Sequence, residues 1–383
     1  MTVCARSDVG RVRTNNEDAF AVTDLDTGAR LESGDAQASF DVQQQGILLV
    51  VSDGMGGHAA GEVASALVVD SMRKSLAGRG LDEAGAETTS MQRLIDNAVK
   101  RANADVFEAG RAARKRGMGA TLTAVLVHFG EAYVAEVGDS RAYLLRAGRL
   151  RQITKDQSFV QLLLDSGALT PEEARASDAK NLLLQGMGLE ADVTVSIGRL
   201  HLRRGDRLLV CCDGLSNLVS DAELRELLGG PDLPTACNRM VDLANERGGD
   251  DNITAILAVL EGDGLPLQPE DETVTETLEV LQAYKPKKTP SNRRMAASVK
   301  TTATPIQTPA RPIEPISAAI TTAASSTRSA ADAAMRMRAT IKTTAPRPEP
   351  ATRPAKGAPP WLLFAGLAGV ALVGLALALW WLR

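Results

Sequence analysis

Short apolar runs and amphipathic stretches alternate along the first 262 residues of the chain. The run at Ile47–Val51 is continuously apolar and β-prone, which predicts a strand buried on both faces. Gly130 separates two longer runs and predicts a hairpin turn between them. The strands predicted from such runs are Ile47–Val51, Thr121–Phe129, Glu131–Leu145, Leu150–Thr154, Arg207–Cys212 and Asn252–Leu260.

Helices are predicted where apolar residues recur three or four positions apart. The clearest case is Met91–Ala109, in which Ile95, Val99, Ala102 and Val106 fall on one stripe. The other predicted helices are Glu62–Leu76, Phe159–Gly167, Pro171–Ala176 and Pro234–Glu246. Strand clusters interleaved with helix pairs favour an α+β architecture over a regular βαβ repeat.

Composition divides the chain into two unlike parts. Of its 17 prolines, 14 lie at or after Pro266. Residues 281–360 carry 14 Lys and Arg against three acidic residues, a net charge of +11, whereas residues 1–280 carry a net charge of −16. We therefore predict a globular domain at residues 1–262 and a disordered, basic linker rich in Pro, Thr and Ala at residues 263–357.

An uncharged segment near the end of the sequence predicts a membrane anchor. Trp361–Leu382 holds 22 residues without a charge, and as a helix it would be about 33 Å long, enough to cross the hydrocarbon core. Its tryptophans stand at the two ends, where a membrane interface would lie. The alternative is a buried helix of a soluble domain. We predict a single-pass anchor at residues 358–383, and the Lys and Arg on its linker side place the globular domain in the cytoplasm, at the inner membrane.

Charge and composition argue against two classes of site. The acidic globular part and an aromatic content of 3% do not suit binding to nucleic acid, which needs basic surfaces or stacking platforms. The four cysteines lack zinc-finger spacing and suit a reducing cytoplasm. They are Cys4, Cys211, Cys212 and Cys237.

Acidic residues stand at the ends of the predicted strands. Taken alone, an Asp-Gly pair at such a position indicates only a turn. Several carboxylates brought to one end of a sheet would repel one another unless cations neutralise them, and oxygen ligands favour Mg²⁺ or Mn²⁺ over zinc. The acids in such positions are Glu17, Asp18, Asp53, Asp139, Asp213, Asp250 and Asp251.

Six motifs contain these acids or lie between them. They are Arg13-Thr-Asn-Asn-Glu-Asp18, Asp53-Gly-Met-Gly-Gly-His58 with Gly61-Glu62, Gly119-Ala-Thr-Leu-Thr123, Gly138-Asp-Ser-Arg141, Asp213-Gly-Leu215 and Gly249-Asp-Asp-Asn252. In content and order this set resembles the metal-dependent type 2C protein phosphatases, the PPM family, in their bacterial form. The resemblance implies a four-layer α-β-β-α sandwich, in which two central antiparallel sheets are flanked by helix pairs, and a two-metal centre in a cleft at one end.

The resemblance also implies the ligands of two Mn²⁺ or Mg²⁺ ions. Asp53, Asp213 and Asp251 would bind one ion. Glu17, Asp53 and the carbonyl of Gly54 would bind the other, so that Asp53 bridges the pair. Two ions so placed would lower the pKa of a bridging water and make hydroxide available for in-line attack on phosphorus.

Four further residues take roles from the same resemblance. Asp139 would help bind a weaker third ion, and Asp18 would hold water bound to the metals. Arg13 is always charged and fork-shaped, which suits a grip on the substrate phosphate. His58 is the candidate acid that protonates the leaving alkoxide. A substrate-binding or loop-ordering role for His58 stays open, because metal-bound water could supply that proton.

Residues 155–192 correspond to the flap beside the active site in this family. Bacterial relatives commonly carry an arginine after the flap, where this chain has Gln185. Flaps shape specificity, so this difference leaves the substrate preference open.

The predicted function is hydrolysis of phosphoserine and phosphothreonine in proteins, opposing membrane-associated serine/threonine kinases. Its partners would be those kinases, their phosphorylated substrates and the membrane. Two alternatives remain at this stage. One is a phosphoprotein-binding regulator without activity, and the other is a phosphatase dedicated to a single substrate such as an anti-sigma-factor antagonist.

Overall fold

The computed structural model of the protein describes residues 1–31, 36–56, 60–77, 88–115, 117–175, 177, 179, 182–269 and 272–286. The strands are β1 Thr2–Asp8, β2 Ala19–Asp24, β3 Arg30–Leu31, β4 Ala36–Ser39, β5 Ile47–Ser52, β6 Gly54–Met55, β7 Gly119–Ala120, β8 Leu122–His128, β9 Glu131–Val137, β10 Arg141–Arg146, β11 Arg149–Gln152, β12 Ser196–His201, β13 Arg207–Cys211, β14 Ile253–Val259 and β15 Leu278–Gln282. The helices are α1 Ala60–Leu76, α2 Thr88–Ala112, α3 Phe159–Asp165, α4 Pro171–Arg175, α5 Asp213–Ser216, α6 Asp221–Leu228, α7 Leu233–Glu246 and α8 Val274–Thr277.

Most of these strands form two antiparallel sheets. One has six strands in the order β11-β10-β13-β14-β1-β4, and the other has seven in the order β15-β12-β9-β8-β5-β2-β3. Strands β6 and β7 form a separate two-stranded ribbon that pairs Gly54 with Ala120 and Met55 with Gly119. The ribbon follows β5 directly, so it continues the chain out of the end of the seven-stranded sheet.

Three apolar clusters hold the layers together. The first lies between the sheets and includes Val51 from β5 and Val210 from β13. In the second, helices α1 and α2 cover the outer face of the seven-stranded sheet through residues such as Met72 and Val99. In the third, α6 and α7 cover the outer face of the other sheet through residues such as Met240. The central strands are buried on both faces, which explains why their sequences are continuously apolar. The layering is consistent with the predicted sandwich.

Every predicted strand and helix that lies in the described part of the chain overlaps an observed element. The predicted run Glu131–Leu145 is two strands, β9 and β10, because residues 138–140 turn the chain from one sheet into the other. Sequence patterns predicted no element at β1–β4, β6, β7, β12 or β15, nor at α5, α6 or α8. Strand β12 contains Gly198 and the partly buried Arg199, so it lacks the apolar continuity that marked its neighbours.

The folded part extends past the predicted boundary at residue 262. Strand β15 pairs with β12 in the seven-stranded sheet, and Val274 enters the core between the sheets. The prediction that a disordered linker begins at residue 263 is therefore wrong for the described residues as far as Pro286. This stretch is rich in Pro and charge, and its fold depends on tertiary contacts that no local pattern reveals.

The remaining linker, to residue 357, and the predicted anchor at residues 358–383 lie outside the described residues. Among the helices that the structure does describe, none combines the length and the apolar character that crossing a membrane requires.

Candidate metal centre

A cavity of about 640 Å³ opens where the loops at one end of the sheets meet. We call it the acidic cavity, because four aspartates and one glutamate line its wall. The predicted site residues on its wall are Arg13, Glu17, Asp53, Gly54, Asp139, Asp213 and Asp251. Residues far apart in the sequence are therefore brought to one place, as the strand-end positions of the acids predicted.

Asp53 is held where β5 passes into the β6–β7 ribbon. Its amide donates a hydrogen bond to the Thr121 hydroxyl at 2.9 Å, and its carbonyl accepts one from the Thr121 amide at 2.8 Å. The next residue, Gly54, donates its amide to the Glu17 carbonyl at 3.1 Å. A Cβ at Gly54 would overlap the carbonyl oxygens of Gly61 and Glu17, so only glycine permits this close approach.

The loop that carries Glu17 is held by two side chains, the buried amide of Asn252 and the hydroxyl of Ser65. Asn252 accepts the Glu17 amide at 2.7 Å and donates to the carbonyls of Val9 and Asn15, both at 2.9 Å. Ser65 of α1 donates to the Glu17 carbonyl at 2.6 Å. The loop is thereby tied to both a strand and a helix, which positions the Glu17 carboxylate at the cavity wall.

Asp18 lies beside the acidic cavity but does not line it. Its Oδ2 accepts a hydrogen bond from the Thr254 hydroxyl at 2.6 Å, while its buried Oδ1 has no hydrogen-bond partner among the described residues. The pKa of Asp18 is raised to about 7, mainly by burial; the hydrogen bonds from Thr254 and Cys212 oppose this shift, and the charges of Asp213 and Asp251 add to it.

Asp213 and Asp251 stand beside the ends of two neighbouring strands of the six-stranded sheet. Asp213 follows β13 and is the first residue of α5, and Asp251 precedes β14. The Asn217 side chain donates to Asp213 Oδ2 at 3.1 Å, whereas Asp213 Oδ1 has no hydrogen-bond partner among the described residues. Asp251 Oδ2 accepts from Arg13 Nη2 at 2.8 Å, which brings the predicted phosphate-binding arginine to the cavity mouth with half of its side chain exposed.

Asp139 lies in the turn between β9 and β10 and is almost fully buried. The amide of the preceding Gly138 donates to Gln157 Oε1 at 3.0 Å. Two residues further on, Arg141 makes a bidentate ion pair with Asp156, at 2.9 and 2.7 Å. The turn that carries Asp139 is thus fixed to the first residues of the predicted flap.

The carboxylates of the site raise one another's pKa values. Burial, followed by the charges of Asp18 and Asp213, raises the pKa of Asp53 well above its ordinary range. Burial, with the charges of Asp213 and Asp156, does the same for Asp139. Burial and the charge of Asp251 raise the pKa of Asp213, although a hydrogen bond with Asp53 opposes the shift. This site therefore favours bound positive charge, supplied either by protons or by cations.

The donor set suits Mg²⁺ or Mn²⁺. It consists of carboxylate and carbonyl oxygens, and two carboxylate oxygens are orphaned, those of Asp18 and Asp213. The acids are spread over the cavity wall. Within the described residues, no three His, Cys, Asp or Glu side chains form a group tight enough to hold an ion.

The flap region contains α3 and α4, and parts of it lie outside the described residues. Gln185, which follows the described part of the predicted flap helices, turns inward. Its Nε2 donates to Gln157 Oε1 at 2.7 Å and to the Thr194 carbonyl at 2.6 Å. Gln185 therefore braces the base of the flap.

Three residues that organise the site received no role from the sequence. They are Asn252, Thr121 and Arg141, and each belongs to one of the six motifs. The motifs predicted metal ligands and phosphate-binding residues, but not the polar side chains that position them. Asn252 directly follows Asp251, and Arg141 lies two residues after Asp139, so nearness to an acid was the available signal for these two. The motif of Thr121 contains no acid. The predicted acid His58 lies outside the described residues.

Comparison with known proteins supports a single family. A family model described as protein phosphatase 2C matches residues 29–258. The serine/threonine protein phosphatase PstP of Mycobacterium tuberculosis (strain H37Rv) is 40% identical over 256 residues, 66% of this chain and 44% of PstP. The serine/threonine phosphatase stp of Listeria innocua is 35% identical over 260 residues, 66% of this chain and 93% of that protein.

Solved structures agree with these matches. A crystal structure of M. tuberculosis PstP/Ppp aligns with a TM-score of 0.57 at 37% identity, covering 68% of this chain and 100% of that one. The PstP catalytic domain in complex with two manganese ions aligns with a TM-score of 0.55 at 37% identity, with the same coverage. The chain thus spans less than half the length of mycobacterial PstP but the whole of its crystallised portion.

Proposed function

The chain belongs to the protein phosphatase 2C family, and we propose on that premise that it hydrolyses phosphoserine and phosphothreonine in proteins with the help of divalent cations. The observation that carries the proposal is the acidic cavity, where acids from five separate loops meet beside one arginine. Without bound cations this wall would repel a phosphate group, because phosphate and carboxylate carry charges of the same sign.

The cations are assigned to the ligands that the family pattern implies. Asp53, Asp213 and Asp251 would hold one Mn²⁺ or Mg²⁺ ion, and Glu17, Asp53 and the Gly54 carbonyl would hold another. Asp139 would contribute to a weaker third site. The raised pKa values and the orphaned oxygen of Asp213 support these assignments, as does the relative whose catalytic domain binds two manganese ions. When bound, such ions supply Lewis-acid activation of water and charge stabilisation at the phosphoryl group.

The chain's own groups bind and orient the substrate. Arg13 is half exposed at the mouth and can exchange its bond with Asp251 for two parallel bonds to phosphate oxygens. Partial burial lowers the pKa of Arg13, but Asp251 raises it and the net change is upward, so the guanidinium stays charged. Asp18 would hold metal-bound water through Oδ1, its orphaned oxygen. His58 keeps its role as the candidate acid for the leaving alkoxide.

The cellular setting follows from the part of the sequence outside the described residues. We assign residues 358–383 to a single-pass anchor in the inner membrane, with the catalytic domain in the cytoplasm. An enzyme so placed would act on membrane-associated serine/threonine kinases and on the proteins that they phosphorylate. The uncharged 22-residue segment and its flanking tryptophans support this proposal.

The decisive experiment measures phosphate release from a phosphothreonine peptide by the full-length chain in non-ionic detergent. Mn²⁺ or Mg²⁺ should support turnover, and EDTA should abolish it. Asp213→Asn should lower kcat by at least about a hundredfold, because it removes one ligand charge from the centre. The control is Asp263→Asn, the same chemical change at an exposed carboxylate that does not line the acidic cavity.

Calorimetric titration with Mn²⁺ gives a second readout that does not depend on turnover. The wild-type chain should bind at least two ions, and Asp213→Asn should bind fewer or bind them more weakly. A folded, Mn²⁺-loaded chain that releases no phosphate would refute general phosphatase activity. The binding-only regulator and the enzyme with a single dedicated substrate would then remain, separated by a screen of phosphorylated proteins.

A further inference from the structure

A second cavity, of about 520 Å³, lies beside the acidic cavity at the end of α2. We call it the side cavity. Its floor is apolar, formed by Phe107, Met118 and Leu189. Its rim carries Arg111, Arg114 and Lys115, all exposed. The three cations lie in the last turn of α2 and in the turn that follows it, residues 110–115, which we call the basic turn.

The two cavities adjoin each other. Leu189 lines both. Gly56, on the wall of the acidic cavity, packs so tightly against the chain below the basic turn that a Cβ there would lie 2.7 Å from the Gly117 carbonyl oxygen. A peptide whose phosphorylated residue enters the acidic cavity can therefore lay its neighbouring residues in the side cavity.

The basic turn has a defined conformation. The Lys115 amide donates to the Gly110 carbonyl at 2.9 Å, and the Arg114 amide donates to the Arg111 carbonyl at 3.1 Å. These two bonds form a Schellman motif, which ends a helix with one residue in the left-handed region. That residue is Arg114, with a φ of 54°.

Arg114 occupies a position that usually belongs to glycine. Its Cβ is crowded there, so a cation is placed at this point against the conformational preference of the backbone. Backbone strain of this kind tends to persist where a side chain serves a function.

Two cations of the basic turn are also unpaired. Neither Arg114 nor Lys115 has an ion-pair partner in the part of the chain that the structure describes. Earlier in the same helix the pattern differs: Lys100 pairs with Asp96 at 2.6 Å, and Arg101 pairs with Asp105 at 3.0 Å. Unpaired positive charge is thus concentrated at the helix end that adjoins the acidic cavity.

We propose that the side cavity is a substrate subsite that binds acidic residues flanking the phosphorylated residue, with Arg114 and Lys115 as the recognising cations. The inference rests on the proposed phosphatase function and names the substrate class: phosphoproteins with acidic sequence on one side of the phosphoresidue. Carboxylates of such a segment complement the rim, and its aliphatic carbons cover Phe107 and Leu189 on the floor.

The competing explanation is purely structural. Cations near the C-terminus of a helix are stabilised by its macrodipole, and this alone could retain them. Arg114→Gly separates the two explanations. Glycine is the preferred residue at this position, so the melting temperature should stay the same or rise. The preference for acidic peptides, in contrast, should weaken.

The experiment compares four phosphothreonine peptides with the full-length chain and Mn²⁺. Two carry three aspartates, either before or after the phosphothreonine, and their partners carry asparagines instead. Wild type should show a lower KM for one acidic peptide than for its asparagine partner. Arg114→Gly together with Lys115→Gln should raise that KM by roughly fivefold to tenfold, as expected from the loss of two partly exposed charge pairs. The preference should also shrink between 50 mM and 500 mM NaCl.

Lys100→Gln is the matched control. It removes one positive charge from the same helix about 20 Å from Arg114, by the rise of about 1.5 Å per residue. It should keep the wild-type preference. Equal KM values for acidic and asparagine peptides in wild type would overturn the subsite, and so would a preference that survives in the double variant.

A separate binding measurement distinguishes failure of this inference from failure of the proposed function. Fluorescence anisotropy measures binding of the labelled acidic phosphopeptide to the Asp213→Asn variant and to the Asp213→Asn variant that also carries Arg114→Gly. Salt-sensitive binding that is lost with Arg114→Gly would support the subsite even in a chain that hydrolyses nothing. Hydrolysis of the asparagine peptides without any preference for acid would uphold the phosphatase and refute the subsite.

Discussion

Single residues decide how closely the loops of the acidic cavity approach one another. Gly54 lies against two carbonyl oxygens, and Gly214 lies so close to the Asn252 carbonyl that a Cβ would overlap it. Buried polar side chains then hold these loops together by hydrogen bonds, as Asn252 does with three backbone groups in and near the loop that carries Glu17. The carboxylates can share one cavity because uncharged neighbours keep the backbone in place.

Gly54→Ala should destabilise the domain and weaken its metal site. The added Cβ would overlap the Gly61 carbonyl, and relief would require the loop carrying Glu17 to move. We expect a loss of about 1–3 kcal/mol in the free energy of unfolding and weaker binding of Mn²⁺. Urea denaturation and calorimetric titration measure the two effects.

Gly264→Ala is the control for that change, because a Cβ at Gly264 would have nothing within 4 Å. It should leave both quantities near their wild-type values. If Gly54→Ala bound Mn²⁺ with wild-type affinity, the close approach would have no part in forming the site.

At the scale of elements, the C-terminal extension, residues 272–286, is fastened to the domain by ion pairs. Arg203 holds both oxygens of Glu272, at 2.8 and 2.7 Å. The buried Arg146 bonds Glu272 and Thr277 in addition to its bidentate pair with Asp206. These contacts bring β15 to the edge of the seven-stranded sheet.

The attachment of this extension should weaken in acid. The hydrogen bonds from Arg203 lower the pKa of Glu272 below its ordinary value of 4.5. A carboxyl group with a lowered pKa contributes stability above its unfolded-state value and loses that contribution as the pH falls through its folded-state value. Protection of the β15 amides against hydrogen exchange should therefore be high at neutral pH and fall below about pH 4.5.

Glu272→Gln should show the reduced protection already at neutral pH and little further dependence on pH. Glu261→Gln, at an exposed position near the same end of the chain, should behave like wild type. If β15 in Glu272→Gln kept full protection, the sheet pairing alone would hold the extension.

The whole molecule combines an acidic globular domain with a basic segment that follows it. Residues 1–280 carry a net charge of −16, and residues 281–360 carry a net charge of +11. An anionic membrane surface would therefore repel the domain and attract the segment that follows it.

The anchor proposal predicts how the chain distributes between cell fractions. Full-length protein expressed in a bacterium should sediment with membranes and resist extraction by alkaline carbonate, whereas a chain ending at Pro286 should stay in the soluble fraction. Removing residues 287–357 while keeping 358–383 should preserve sedimentation. Full-length protein that remains soluble would refute the anchor.

The central apolar strands, the long helices, the acids at the strand ends and the family motifs could be read from the sequence. The reason is local: burial on both faces requires continuous apolar runs such as Ile47–Val51, and an acid that follows such a run stands at the end of a sheet. These features depend on residues that are neighbours in the chain.

Tertiary structure decided the rest. The three bonds of Asn252, the left-handed Arg114 beside a cavity and the pairing of β15 with β12 involve partners far apart in sequence or a conformation that a motif does not encode. The pairing of β15 depends on where Arg146 and Arg203 lie in the folded domain. Such contacts are chosen by the packing of whole layers, because the energy that favours them appears only when distant segments are already in place.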